Sequence, residues 1–324
     1  MTSSAMSGST GRARRVRAVT AAAAAVVLCA GTTTPALAAG PASGGKPTIV
    51  LVHGAFADGS SWNGVVQRLE RRGYTVMAPA NPLRGLYSDA AYIASVLKSV
   101  KGPIVLAGHS YGGAVISTAA AGNPQVKSLV YISAQMPDVG ESGMSLAARF
   151  PSALATATDS VPFRTGDTSG TDLYLKPDKV HSVFAACLPE SQANLLAVTQ
   201  RPAATTAFSE KARVAAWKDI PSWALVGRQD MTISPRLERF EARRAHSHTV
   251  EIDTCHVSLI ARPDAVAQLI LRAAAAAGPT PQPTGNGADG RTRQAIVLGA
   301  AAAGVLSTGS GVFLLGRRHR RPRR

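Results

Sequence analysis

The sequence predicts an α/β protein with a doubly wound, mostly parallel sheet, an inserted helical cap and a separate C-terminal transmembrane helix. Three observations carry this. Six short apolar runs rich in β-branched residues recur between 48 and 252 with little polar alternation, as expected of strands covered on both faces. Helical patterns separate them, so that strand and helix alternate. One interval, about 135–218, is too long for a single crossover and carries helical pieces without a convincing strand, which places a cap over the carboxyl edge of the sheet.

Residues 1–38 read as a signal peptide. Arg12, Arg14, Arg15 and Arg17 precede an apolar run from Ala18 to Ala30, and "TPALAAG" supplies the small residues Ala36 and Ala38 before a cleavage site. The α/β domain then occupies 39–278. Its strands are "TIVLVHG" (48–54), "YTVMAPA" (74–80), "IVLAG" (104–108), "SLVYISA" (128–134), "SWALVG" (222–227) and "HTVEI" (248–252). Helical patterns cover 62–72, 89–100, 111–121, 235–244 and 263–277, and "DKVHSVFAACL" and "SQANLLAVTQ" supply helical pieces to the cap.

Beyond the domain, 279–293 is rich in Pro, Gly and Thr and reads as an extended linker. Residues 294–316 follow as a membrane span: the charge-free stretch from Ala295 to Leu315 reaches about 31 Å as a helix, enough for a bilayer core. The tail 317–324, with six arginines, belongs on the cytoplasmic side, which puts the domain outside the cell. Attachment to a cell wall is the alternative, although "PQPTG" lacks the first two residues of a Leu-Pro-x-Thr-Gly sorting motif.

The formal charge of +16 belongs to the ends. Residues 1–38 hold four Arg and no acid, and 279–324 hold eight Arg against Asp289. The remainder has 23 basic and 18 acidic residues, a balance of +5 with no basic run interleaved with aromatics, which argues against a nucleic-acid partner. There is no His-Glu-x-x-His, no Cys/His cluster and no phosphate loop, so no cofactor or metal is expected.

Chemistry concentrates in "GHSYGG". It fits G-x-S-x-G between a strand ending at Gly108 and a helix beginning near Tyr111, a context in which a sharp turn lifts Ser110 above the sheet as a nucleophile. A serine attacks a carbonyl only if a neighbouring base takes its proton. The expected chain order is Ser, acid, His, each at a strand's carboxyl end. Asp230 follows "SWALVG" and takes the acid role; Asp219 precedes that strand, and Asp253 lies only three residues from the candidate histidine. His256, just past the last strand, is the base. The other histidines have duller readings: His109 as elbow scaffolding, His53 as a structural hydrogen bonder, His181 in the cap, and His246 and His248 at the start of the last strand. Backbone amides of Tyr111 and Ala55, the latter in "HGAFADGSSW", are the expected oxyanion donors, with Phe56 as the neighbouring candidate. Cys29 leaves with the signal peptide. Cys187 and Cys255 in an oxidising compartment could pair or remain two buried thiols.

"VLVHGAFADGSSW", "GHSYGG", "SWALVGRQDMTISP" and "CHVSLIARPDAVAQLI" together resemble the α/β-hydrolase superfamily, in particular its small-capped esterase branch related to plant methylesterases and hydroxynitrile lyases, over residues 47–277. The resemblance implies an α/β-hydrolase fold and a Ser110–His256–Asp230 triad acting on a small-molecule ester. Similar sequences have an acidic residue where Cys187 stands and a serine where Cys255 stands. Cysteine at both positions points to a cap-to-core disulfide beside His256. The same resemblance admits hydroxynitrile lyase or cofactor-free perhydrolase chemistry, the former needing a lysine such as Lys176, Lys179, Lys211 or Lys218 near the site. A surface binding module without catalysis is the remaining alternative.

Overall fold

The computed structural model describes residues 45–278. The predicted signal peptide, linker, membrane span and basic tail lie outside these residues. Among the described residues no helix is long and apolar enough to cross a membrane.

Six strands form one parallel sheet: β1 (Thr48–Val52), β2 (Val76–Met77), β3 (Ile104–His109), β4 (Val126–Ile132), β8 (Ser222–Gly227) and β9 (His248–Ile252), in the order β2-β1-β3-β4-β8-β9. All six predicted strands are present, with β2 reduced to two residues at one edge. Every residue of β3 and of β8 is buried, as a strand with both faces covered requires. Removing Ile104, Val105 and Leu106 from water contributes roughly 1.5–3 kcal/mol each.

The five predicted helices form at Asn63–Glu70, Leu86–Ser99, Tyr111–Ala119, Pro235–Arg244 and Pro263–Ala276. Two of them open on proline, whose fixed φ and missing N–H suit a first helical position. Helix 63–70 packs against 263–276, and 86–99 against 111–119. Trp62, Leu69, Ile93, Leu97, Val115, Ile116, Leu269 and Ile270 thereby join the sheet in one core.

The cap departs from the all-helical expectation. It contains helices at Gly143–Arg149, Glu190–Thr199 and Thr205–Ser209, but also a three-stranded antiparallel sheet of β5 (Thr158–Thr165), β6 (Thr168–Leu175) and β7 (Ala203–Ala204). Polarity hid these strands: "TDSVPFRT" is almost wholly exposed and contains Pro162, so it lacks the apolar run that marked the central strands. The readable signal was the two-residue turn Gly166-Asp167 between paired Thr165 and Thr168, with Gly166 at φ 56° where a II′ hairpin places glycine. Arg84 ties this hairpin to the body through an ion pair to Asp172 at 2.8 Å and a contact over the Phe163 ring.

Candidate active site

Ser110 stands between β3 and the helix beginning at Tyr111, with φ 55° and ψ −127°. A non-glycine residue at positive φ is strained, and such strain persists only where the surroundings enforce it. Here the strand and helix meet too closely for side chains on the flanking glycines: a Cβ on Gly108 would come within 2.5 Å of the Gly112 carbonyl. Backbone bonds lock the corner, from the Gly113 and Gln135 N–H groups to the Ser110 carbonyl at 2.9 and 3.2 Å.

The structure brings Ser110, His256 and Asp230 together from three strand ends. The Ser110 hydroxyl is 2.9 Å from His256 Nε2, and His256 Nδ1 is 2.6 Å from Asp230 Oδ2. With Nδ1–H donating to the carboxylate, Nε2 is free to accept the serine proton. Asp230 Oδ1 accepts the Thr232 and Ile233 N–H groups at 2.7 and 2.8 Å, so the turn after β8 both presents the carboxylate and solvates it. His256 is fully buried; Ser110 retains a sliver of exposure at 7%.

The competing acids and histidines lie elsewhere. Asp253 pairs with Arg228 at 2.8 Å on the surface, and Asp219 follows the short helical turn before β8. His109 Nε2 donates to the His256 carbonyl at 3.0 Å, and burial holds its ring well under the usual histidine range. His53 Nδ1–H donates to the Gly54 carbonyl at 2.9 Å and its Nε2 accepts the Asn81 N–H at 2.8 Å, a pattern that requires the neutral ring; burial lowers its pKa accordingly. Asn81 closes the arrangement by donating to the His53 carbonyl at 3.0 Å.

That clamp fixes the loop carrying Ala55. Its Gly54 backbone lies directly against Ser110, where a Cβ would meet the Ser110 Cβ at 2.6 Å. Phe56 turns the chain at φ 62°. Tyr111 is the first residue of its helix, so its N–H is among those the helix leaves without an intrahelical partner, at the positive end of the dipole. Its phenol donates to buried Asp89 at 2.8 Å, and burial with the Asp89 charge pushes that phenol upward.

Cys187 and Cys255 are joined in a disulfide with Cα atoms 5.3 Å apart. The bond ties the cap to the residue preceding His256. Phe184, in the same cap segment, covers the imidazole with ring centroids 5.2 Å apart and also meets Phe56 edge-on at 6.2 Å. A cavity of about 550 Å³ opens beneath the cap, lined among others by Phe56, Gln135, Leu154, Phe208 and Thr232. These residues border the triad: Gln135 bonds to the Ser110 backbone, Phe208 packs on Tyr111 at 5.6 Å, and Thr232 bonds to Asp230. Among the described residues the lining contains no charged side chain.

Sequence reasoning missed Asn81, Phe184 and Glu238. Asn81 and Phe184 come from segments with no motif, and spacing alone does not place a cap residue over a distant histidine. Glu238 had a signal: in "PRLERFEARR" it shares a face with Leu237, Glu241 and Ala242, all buried.

Comparison with known proteins bears on the fold and the family. The chain is 28% identical over 253 residues to "Alpha/beta hydrolase nvfD" of Aspergillus novofumigatus, covering 71% of this chain and 97% of that protein. It is 33% identical over 110 residues to a carbendazim hydrolyzing esterase of a Nocardioides species, covering 30% of this chain and 46% of that one. The crystal structure of polyneuridine aldehyde esterase superposes with a TM-score of 0.62 at 18% identity, over 70% of this chain and 99% of the other, a likeness of fold. Residues 49–269 match the family described as "Alpha/beta hydrolase family", and the chain belongs to that family.

Proposed function

We propose that the protein is a serine hydrolase of carboxylic esters. The observation that carries this is the continuous hydrogen-bonded path from Ser110 through His256 to Asp230 at a strained strand-to-helix corner. Ser110 Oγ attacks the ester carbonyl as His256 Nε2 takes its proton; Asp230 holds the imidazole's orientation and stabilises its charged form. The Tyr111 and Ala55 amides receive the oxyanion, each donor of this kind contributing about 3–4 kcal/mol in related chemistry. Collapse expels the alcohol with the proton from His256, and water releases the acid by the same steps in reverse order.

The chargeless cavity supports an uncharged ester with an apolar group lodged between Leu154, Phe208 and Leu237. Cyanohydrin cleavage needs a cation at the site, which the lysines named above do not supply. Lys176 reaches the Thr156 carbonyl, Lys179 pairs with Asp178 on the surface, Lys218 pairs with Asp138, Lys211 is exposed, and none lines the cavity. The name of the carbendazim hydrolyzing relative is consistent with ester or ester-like substrates. The test is a series of p-nitrophenyl esters of graded acyl length with wild type and Ser110→Ala. Turnover that rises with acyl length and vanishes in the variant supports the reading; equal background rates for both proteins oppose it.

Export and a C-terminal membrane anchor are the second part of the proposal. They rest on the sequence patterns at 1–38 and 294–316 and draw support from the disulfide, which persists in oxidising compartments. Protease added to intact cells should remove the domain while a tail epitope stays protected.

A further inference from the structure

Glu238 is a buried carboxyl that the hydrolytic steps leave unused. It sits on helix Pro235–Arg244 at 3% exposure. Its Oε2 accepts the Gly227 N–H at 3.2 Å, while Oε1 is buried and receives no donor. The side chain it faces is Asp230, carried on the turn that Asp230 N–H closes onto the Gly227 carbonyl at 3.1 Å. Two carboxyl groups therefore meet behind the triad.

The donors decide which of them is charged. Asp230 receives three: Thr232 N–H, Ile233 N–H and His256 Nδ1–H. Both of its oxygens are thus already supplied with donors. Glu238 receives one and has a second oxygen that an ionised state would leave bare beside another anion. Arg239, its neighbour on the helix, turns outward to Glu251 at 2.9 Å and does not neutralise it. The other acid on the same buried face, Glu241, adds repulsion. Burial is the largest influence on Glu238 and the Asp230 charge the next; both push its carboxyl well above the usual range.

We propose that Glu238 is a neutral carboxylic acid whose Oε1–H donates to the Asp230 carboxylate, making it a positioning residue for the triad. The bare oxygen then becomes a donor, Asp230 gains a fourth hydrogen bond, and the imidazolium that forms at His256 faces one negative charge instead of two. An ionised Glu238 would make that imidazolium harder to deprotonate and move the acid limb of the pH–rate profile upward. The effect on rate rests on the hydrolytic reading above; the protonation state does not.

The experiment compares full-length wild type, Glu238→Gln and Glu238→Leu. Infrared spectroscopy near neutral pH should show a protonated-carboxyl carbonyl band that Glu238→Gln lacks, so that it stands out in the wild-type minus Glu238→Gln difference. The glutamine, which keeps both the acceptor for Gly227 and a donor for Asp230, should hold kcat/KM within about threefold and leave the acid limb unmoved. The leucine, with no donor, should lose roughly 10- to 100-fold in kcat/KM. A missing band with the Glu238→Gln acid limb displaced downward by about one unit or more would establish an ionised Glu238 and overturn the proposal. So would full activity in a folded Glu238→Leu. If the leucine variant does not fold, the band and the glutamine profile decide. Failure of the hydrolytic reading shows separately, as activity that survives Ser110→Ala while the infrared band still depends on Glu238.

Discussion

Reducing the Cys187–Cys255 bond releases a cross-link between residues 68 apart in sequence that fastens the cap to the segment carrying His256. In the chain-entropy picture a loop of that length restricts the unfolded state by about 4 kcal/mol at 25 °C. For a domain of this size each kcal/mol corresponds to roughly 2–4 °C in Tm, so reduction or the Cys187→Ser/Cys255→Ser double variant should lower Tm by about 10 °C. Cys187 is exposed, giving reductant access, whereas Cys255 is buried. Activity should fall as well, since the Cys255 N–H bonds to Cys187 Sγ at 3.2 Å one residue before His256, the proposed base. The assay is thermal unfolding by circular dichroism with and without reductant, paired with thiol titration in denaturant. Two additional thiols on reduction with a Tm change under about 2 °C would refute the energetic reasoning. An unchanged thiol count would remove the bond itself.

Three further outcomes are expected. Asp230→Asn should lower kcat roughly 10⁴-fold at unchanged Tm, because the amide turns its donor toward Nδ1 and imposes the wrong tautomer; a loss under tenfold would exclude the acid role. Glu241 is fully buried, its Oε1 accepting the Met136 N–H at 2.8 Å and its Oε2 unpartnered, and burial pushes its pKa up to about 8. A folded value raised above the unfolded one stabilises the fold fully at acid pH and loses that contribution as pH rises through 8. Glu241→Gln should therefore reduce the fall in Tm between about pH 5 and pH 8.5, and an undiminished fall would contradict this. Ala155→Trp, which fills part of the cavity, should lower kcat/KM for long-acyl esters at least tenfold more than for acetates; equal loss on both would place the acyl group elsewhere.

Much of the candidate site's geometry was legible because it lies where local rules act. Gly108, Ser110 and Gly112 lie within five consecutive residues, and the strand-to-helix context gave the corner its meaning. Asp230 and His256 follow from strand ends, which the apolar runs of β8 and β9 mark even without knowledge of which strands are neighbours. The cap was read less well. Its hairpin is solvated, so its residues carry no burial pattern, and only the turn at Gly166 advertised it. Asn81 and Phe184 reach the site through tertiary contacts that no periodicity encodes. Glu238 was visible as an acid on an apolar face, but its partner Asp230 appears only once the helix is laid against the turn.

The central claim is that Ser110 is the activated nucleophile. The most direct measurement is peptide mapping by mass spectrometry after treatment of the native protein with a fluorophosphonate. Covalent adduct on Ser110 alone, suppressed in His256→Ala and abolished in Ser110→Ala, is the expected result. Adduct on another serine, or folded protein that takes up no label, would contradict it.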